Sequence, residues 1–376
     1  MKSADIIVVG GGLSGSAIAY GLVRNGAGKV ILFDEQLSSQ RLSRANFGLT
    51  WFMCKGANHP VYAQWSRLAC QRWPEFAAEL EEASGYDIEL EWTGGAMHAC
   101  GEAEFNAFSK SIAKLKNVCS QFALDYPVRM LDREAFAALI PDIELGESVS
   151  GAMYTPEQGH VNPLMLLAAL RCAMQRRGGS FLGGEAVGKI IPRPDGSVTV
   201  QTIRGDYQCR KLVIAAGHGS SRLVAMLGET LNIYPLRGQL MVTQRCKRVL
   251  RVPVLNVRQT RDGTFLIGLS EEDAGLDTRV TMATMKRQAQ DAIRLFPMLG
   301  KLNWVRSWAA SRVMTPDGAP IYSRVADHDN ITVAALHSAV TLAPLATDEV
   351  APWILGTREH ELLSNFSIGR FNVQNR

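Results

Sequence analysis

The chain lacks most of the features that mark a specialised class of protein. Its seven cysteines, Cys54, Cys70, Cys100, Cys119, Cys172, Cys209 and Cys246, form no C-x-x-C pair, and their number is odd. That excludes a disulfide framework, a cysteine-based zinc site and an iron–sulfur cluster held by this chain. Free thiols fit a reducing compartment. His59, His98, His160, His218, His328 and His360 show no metal-ligand spacing, so no metal site is expected. The net charge is only +4, and the basic residues are scattered rather than interleaved with aromatics, which leaves no case for a nucleic-acid partner. No apolar run reaches the ~18 residues of a membrane helix. After Lys2 the first apolar run already reads as a strand, not as the core of a signal peptide, so no membrane association and a cytoplasmic location are expected. No internal repeat and no low-complexity linker is visible. At 376 residues the chain should still divide into two lobes.

Glycine, by contrast, is abundant, with 34 residues, and three of them are placed with purpose. In "DIIVVGGGLSGSAIAYGL" the run Ile6–Val9 reads as a buried parallel strand, and Gly10, Gly12 and Gly15 follow it directly. Leu13, Ala17, Ile18 and Leu22 then recur at helical spacing, with Leu13 and Ser14 at the N-terminal end. "KVILFDEQ" supplies a second strand that ends in Asp34 and Glu35, about 20 residues past the glycines. This order of strand, glycine turn, helix, strand and acid is a dinucleotide fingerprint. Gly10 permits the sharp turn, Gly12 lets backbone N–H groups approach a pyrophosphate, and Gly15 lets the helix pack on the strand. The helix N-terminus offers N–H groups and partial positive charge to the phosphates. Asp34 or Glu35 is the ribose ligand, and spacing favours Asp34.

Further along, residues 60–83 read as a helix broken or kinked at Pro74. Residues 86–100 read as two strands about a Gly94–Gly95 turn, and 101–117 as a helix. Asp132 caps a short helix; Asn162 caps a long amphipathic one, with Pro163 at its first position. Two strands joined at Arg204–Gly205–Asp206 precede an apolar strand ending at Gly217, and Asp262–Gly263 marks a hairpin. A helix follows at 281–297, then a strand, a loop and a last helix from residue 331. Dinucleotide-type units thus stand at both ends, with antiparallel hairpins between. The expected organisation is a discontinuous cofactor domain (1–82, 146–224 and 309–376) carrying an inserted substrate domain (83–145 and 225–308).

Beyond the fingerprint, "LSRANFGLTW", "GAMYTPEQGHVNP", "LVIAAGHGS", "YPLRGQL", "SRVMTPDGAPIYS" and "AALHSAVTLAP" occur in the order seen in one family. On these motifs nearly the whole chain resembles the flavin-dependent D-amino-acid oxidase superfamily, and within it the β subunits of opine oxidase and D-hydroxyproline dehydrogenase. The resemblance implies an α/β fold: an FAD-binding Rossmann-like domain of the glutathione-reductase type, with an inserted α+β substrate domain containing an antiparallel sheet. It implies FAD as cofactor, held further by Ser43, Arg44, Ala45, Asn46, Phe47, Gly48 and Leu49 at the pyrophosphate and flavin. Val187 would serve the adenine, Ala216 and Gly217 the end of a flavin-side strand, and Ser338, Val340, Thr341 and Leu342 the flavin's pyrimidine end. Arg312 would pair with the substrate carboxylate, a task suited to a planar bidentate donor. His337 is a candidate catalytic base, although a neutral amine requires none. Arg237 reads as a structural brace, and Lys55 as a cation near the flavin.

The implied reaction oxidises the Cα–N bond of a secondary amine or D-amino acid, opine or D-hydroxyproline in type, by hydride transfer to flavin N5. Electrons would pass to a larger α subunit carrying further redox centres, with any iron–sulfur cluster in that partner and a second flavin, FMN, at a subunit interface. Leu336 stands where oxidases of the family have glycine, and the loop after it is shorter, which departs from an oxygen-using enzyme. The alternatives are a self-sufficient glycine- or sarcosine-type oxidase that makes hydrogen peroxide, and a non-catalytic flavin-binding subunit.

Overall fold

A computed structural model describes residues 2–37 and 41–375. Strand β1 (Lys2–Val9), helix α1 (Leu13–Arg24) and strand β2 (Val30–Asp34) form the first unit. β1 lies at the middle of an eight-stranded sheet, parallel to Gly205–Ile214 on one side and to β2 on the other. Ile7 thereby faces Leu212 and Ile31 across its two neighbours. β2 continues in parallel to Ser180–Gly183, and Gly205–Ile214 to His328–Ala335. Alternation along β1 explains why all four residues of Ile6–Val9 are apolar. Ile6 and Val8 enter the core beneath α1 and the helices Pro60–Ser84 and Pro163–Arg176. Ile7 and Val9 enter a second core on the opposite face, with Phe33, Tyr207 and Leu223.

The remaining strands are antiparallel. Tyr234–Arg245 pairs along Trp304–Met314 and, on its other side, with Thr264–Ile267, which pairs with Val257–Gln259 about the expected Asp262–Gly263 turn. A three-stranded sheet of Gly95–Cys100, Val149–Thr155 and Arg129–Asp132 joins it where Ala96 bridges Val254. Of the segment limits expected from sequence, the one at 145/146 leaves Val149–Thr155 apart from its partner strands, and the one at 308/309 falls within Trp304–Met314. The α/β architecture with an antiparallel second half is the one expected.

Local signals decided the caps. Asp132 accepts from Ala135 N at 2.8 Å, and Asn162 Oδ1 accepts from Leu164 N and Met165 N. Three expectations fail for tertiary reasons. Helix Pro60–Ser84 is continuous through Pro74 and so is not broken there, because Trp73, Phe76, Ala77 and Leu80 carry its buried stripe across the proline. Residues 86–92 form no strand: Glu89 takes a left-handed φ of 56°, and only Glu91 bridges to His160. Residues Gly205–Ile214 form one strand rather than two, so Ala216 and Gly217 lie just beyond its end, with Gly217 at φ +58°. Among the described residues no helix is long and apolar enough to cross a membrane.

Candidate active site

The turn between β1 and α1 is shaped by what glycine lacks. Gly10 sits at φ +109°, and a Cβ there would lie 2.3 Å from the Ala215 carbonyl oxygen. A Cβ on Gly15 would lie 1.9 Å from the Gly10 carbonyl oxygen, so these two residues lock the strand against the helix. Gly12 differs, since its nearest neighbour would be Ser43 Oγ at 3.8 Å, which leaves open space in front of α1. At the end of β2, Asp34 Oδ2 accepts from Gly11 N and Oδ1 from Gln36 N, both at 2.8 Å, which ties the acid to the glycine turn.

These residues open on a cavity of about 790 Å³. Of the expected cofactor ligands, Gly10, Gly12, Leu13, Ser14, Asp34, Glu35, Ser43, Asn46, Val187, Ala216 and Gly217 line it, and so does His337. Gly15, Arg44, Ala45, Phe47, Gly48, Leu49, Ser338, Val340, Thr341 and Leu342 do not, nor does Arg312. Arg44 is exposed, and among the described residues the arginine that lines the cavity is Arg222, whose Nη2 donates to the Val187 carbonyl at 2.8 Å. Sequence reasoning missed Arg222, along with the buried Glu185, which accepts from Thr202 Oγ1 and pairs with Arg204. The only local hint of Arg222 was its place on the short helix after "AAGHGS".

The segment 46–49 is built from beneath. Asn46 Oδ1 accepts from Gly48 N at 2.8 Å, and Gly48, at φ +85°, has no room for a Cβ beside the Val161 carbonyl. Buried Arg258 donates from Nε to the Phe47 carbonyl at 2.5 Å, and its Nη1 lies 3.4 Å from His160 Nδ1. Burial pushes the Arg258 guanidinium down to about 10. His160, buried and beside that cation, is held well below the usual imidazole range, with Nε2 3.7 Å from Glu91. A histidine kept neutral in the fold binds fewer protons than in the unfolded chain. Its contribution is therefore complete above the unfolded value near ~6.5 and is lost as pH falls below it. Urea unfolding should show stability dropping between about pH 6.5 and pH 5, and His160→Asn should flatten that slope by up to about 1.4 kcal/mol per pH unit.

At the far end of the chain, Thr341 Oγ1 accepts from Trp51 N at 3.2 Å, and Trp73 Nε1 donates to the Thr341 carbonyl at 3.0 Å. The loop after Leu336 is thus tied to the segment after Gly48. Ser338 Oγ receives Lys55 Nζ at 2.5 Å and the Tyr62 hydroxyl at 3.0 Å, and lies 3.3 Å from His337 Nδ1. The His337 side chain is exposed to the cavity. The protein packed around it first, then the cations Lys55 and Arg312, lower its pKa from the ordinary imidazole value, so the ring is neutral at pH 7 and above. Arg312 donates from Nη1 to the Ser270 carbonyl at 2.8 Å, and burial lowers it while Glu271 and Glu272 oppose that. Its guanidinium lies over Gly238, where a Cβ would come within 2.6 Å of Nη2, which accounts for the glycine in "PLRGQ". Arg237 pairs instead with Glu272 and Asp277, at 3.0 and 3.3 Å, and pins the loop whose Leu276 and Thr278 line the cavity.

The residues suit FAD. Ser14 Oγ is a buried hydroxyl at the start of α1 with no hydrogen-bond partner among the described residues, and Ser14 lines the cavity beside the unfilled space at Gly12, as a diphosphate would require. The DAO family model, FAD dependent oxidoreductase, matches residues 5–353. The B subunit of opine oxidase from Rhizobium meliloti is 34% identical over 377 aligned positions, covering 100% of this chain and 99% of that protein. Glycine oxidase of Geobacillus kaustophilus (strain HTA426) is 26% identical, covering 97% of each. The crystal structure of glycine oxidase from Geobacillus kaustophilus superposes with a TM-score of 0.87 at 26% identity, covering 98% of this chain and 99% of that one. A glycine turn with room for a diphosphate and a family match running almost end to end agree: the chain belongs to the DAO family of FAD-dependent oxidoreductases.

Proposed function

We propose that this chain oxidises the Cα–N bond of a secondary amine bearing a carboxylate, opine or D-hydroxyproline in type, as one subunit of an enzyme whose larger partner takes the electrons. The observation that carries this reading is Arg312. Its guanidinium donates to a carbonyl and makes no ion pair among the described residues, yet it lies close enough to His337 to depress that ring. A half-buried cation of this kind suits a substrate carboxylate. The two relatives that are B subunits of opine oxidase support the partner.

FAD, held by the glycine turn, Asp34 and the Val187 strand, would supply the two-electron acceptor for the hydride. The chain's own part is to hold and to exclude. Arg312 fixes the carboxylate and with it the Cα hydrogen. The amine enters unprotonated, so the nitrogen lone pair forms the C=N bond as the hydride leaves, and no protein base is needed. The half built on the eight-stranded sheet holds the cofactor through the glycine turn, Asp34 and the strand at Val187. The antiparallel half supplies Arg312 and the substrate site. With the cysteines scattered, any iron–sulfur cluster resides in the partner, and FMN would sit at the subunit interface; the location is cytoplasmic.

The test is purification with associated proteins, followed by anaerobic addition of an opine. The flavin should bleach, and the chain alone should release no peroxide in air. Bleaching by glycine or sarcosine with stoichiometric peroxide would establish the self-sufficient oxidase instead, a reading favoured by the likeness to glycine oxidase.

A further inference from the structure

We infer that Lys55 is a positioning residue: through Ser338 it presents His337 to the substrate as a fixed hydrogen-bond donor, with the ring proton on Nε2, and not as a base. The inference rests on the proposed function only for the place where substrate binds.

Ser338 Oγ has one proton to give and two lone pairs to offer. The ammonium of Lys55, at 2.5 Å, can only donate. The Tyr62 hydroxyl, at 3.0 Å, donates to the same oxygen. Both lone pairs are then used, and the single Ser338 proton is directed to the remaining neighbour, His337 Nδ1 at 3.3 Å. Nδ1 is therefore an acceptor, and a neutral ring must carry its proton on Nε2. Ser338 is buried and Lys55 partly so, while the His337 ring is exposed to the cavity. The charged and titratable groups about His337 keep it neutral. Lys55 and Tyr62 come from the 53–62 region, and Arg312 comes from the strand Trp304–Met314 with Glu271 and Glu272 beside it. A positive imidazole here would face two cations. Instead an N–H stands near the Arg312 guanidinium, and together they suit an acceptor-rich anionic group such as the substrate carboxylate.

The test is nitrogen NMR of the holoenzyme labelled with ¹⁵N-histidine, followed from about pH 6 to pH 9. The His337 signals are identified by their loss in His337→Gln. The expected pattern is the neutral Nε2–H form, unchanged across the range. Lys55→Met frees a lone pair on Ser338, so the His337 signals should become tautomer-averaged; the surrounding protein and Arg312 remain, so the ring should still not titrate in this range. Lys55→Arg should restore the wild-type pattern. Should Lys55→Met not fold, Ser338→Ala serves: the tautomers should mix while the ring still does not titrate. A wild-type His337 that titrates in this range or carries its proton on Nδ1, or a Lys55→Met spectrum identical to wild type, overturns the proposal. The spectrum is read without turnover, so failure of opine oxidation and failure of this inference are separate results.

Discussion

Replacing Arg312 with methionine should leave a folded, yellow protein whose kcat/KM for a carboxylate-bearing amine is about a thousandfold lower. The size follows from two losses. A charge-assisted bidentate contact to the carboxylate disappears, and with it the alignment of the Cα hydrogen, so kcat should fall together with a rise in KM. The fold should survive, because among the described residues the Arg312 guanidinium hydrogen-bonds only to the Ser270 carbonyl, and methionine keeps the length of its stem. Flavin content should stay at the wild-type ratio, since Arg312 does not line the cofactor cavity. Arg312→Lys should recover only part of the loss, because an ammonium cannot reproduce a planar fork. Steady-state kinetics beside the flavin absorbance ratio checks all three statements. Unchanged turnover in Arg312→Met would favour a non-catalytic flavin-binding subunit.

The glycine turn should separate folding from cofactor binding within six residues of sequence. Gly15→Ala places a methyl 1.9 Å from the Gly10 carbonyl oxygen, a contact between backbone elements that cannot give way. The cost should exceed about 3 kcal/mol, enough to deplete soluble protein or to lower the urea midpoint sharply. A Cβ on Gly12 would meet only Ser43 Oγ at 3.8 Å and opens on the cavity, so in Gly12→Asp the apoprotein should unfold at nearly the wild-type midpoint. It should nevertheless lose FAD by at least about a hundredfold in affinity, because the new carboxylate takes up the space and the N–H groups that a diphosphate needs. Urea melts of apoprotein and fluorescence titration with FAD distinguish the two. A Gly12→Asp variant that purifies yellow would remove the turn from the cofactor site.

How far these features were legible depended on distance along the chain. The strand, turn, helix and acid of residues 5–35 were readable because each signal is local: apolar runs set strands, and missing Cβ atoms set turns. The caps at Asp132 and Asn162 and the hairpin at Asp262–Gly263 were readable for the same reason. The unbroken passage of a helix through Pro74 was not, since a buried stripe against other helices overrode a local penalty. Nor was the identity of the arginine at the cavity, where Arg222 rather than Arg44 stands. The buried support of Phe47 by Arg258 lies 211 residues away, and the contact of Lys55 with Ser338 spans 283.

By itself, then, the order of residues determined that a nucleotide-binding turn opens this protein, that antiparallel hairpins interrupt an α/β chain, and that an arginine and a histidine near its end are candidates for the site. Only the tertiary structure decided which of the glycines has open space before it, which arginine lies beside His337, and how a lysine, a tyrosine and a serine fix that ring. The physical reason is range: backbone preference and periodicity act over a few residues, whereas hydrogen-bond roles and charge environments are set by groups that only folding brings together.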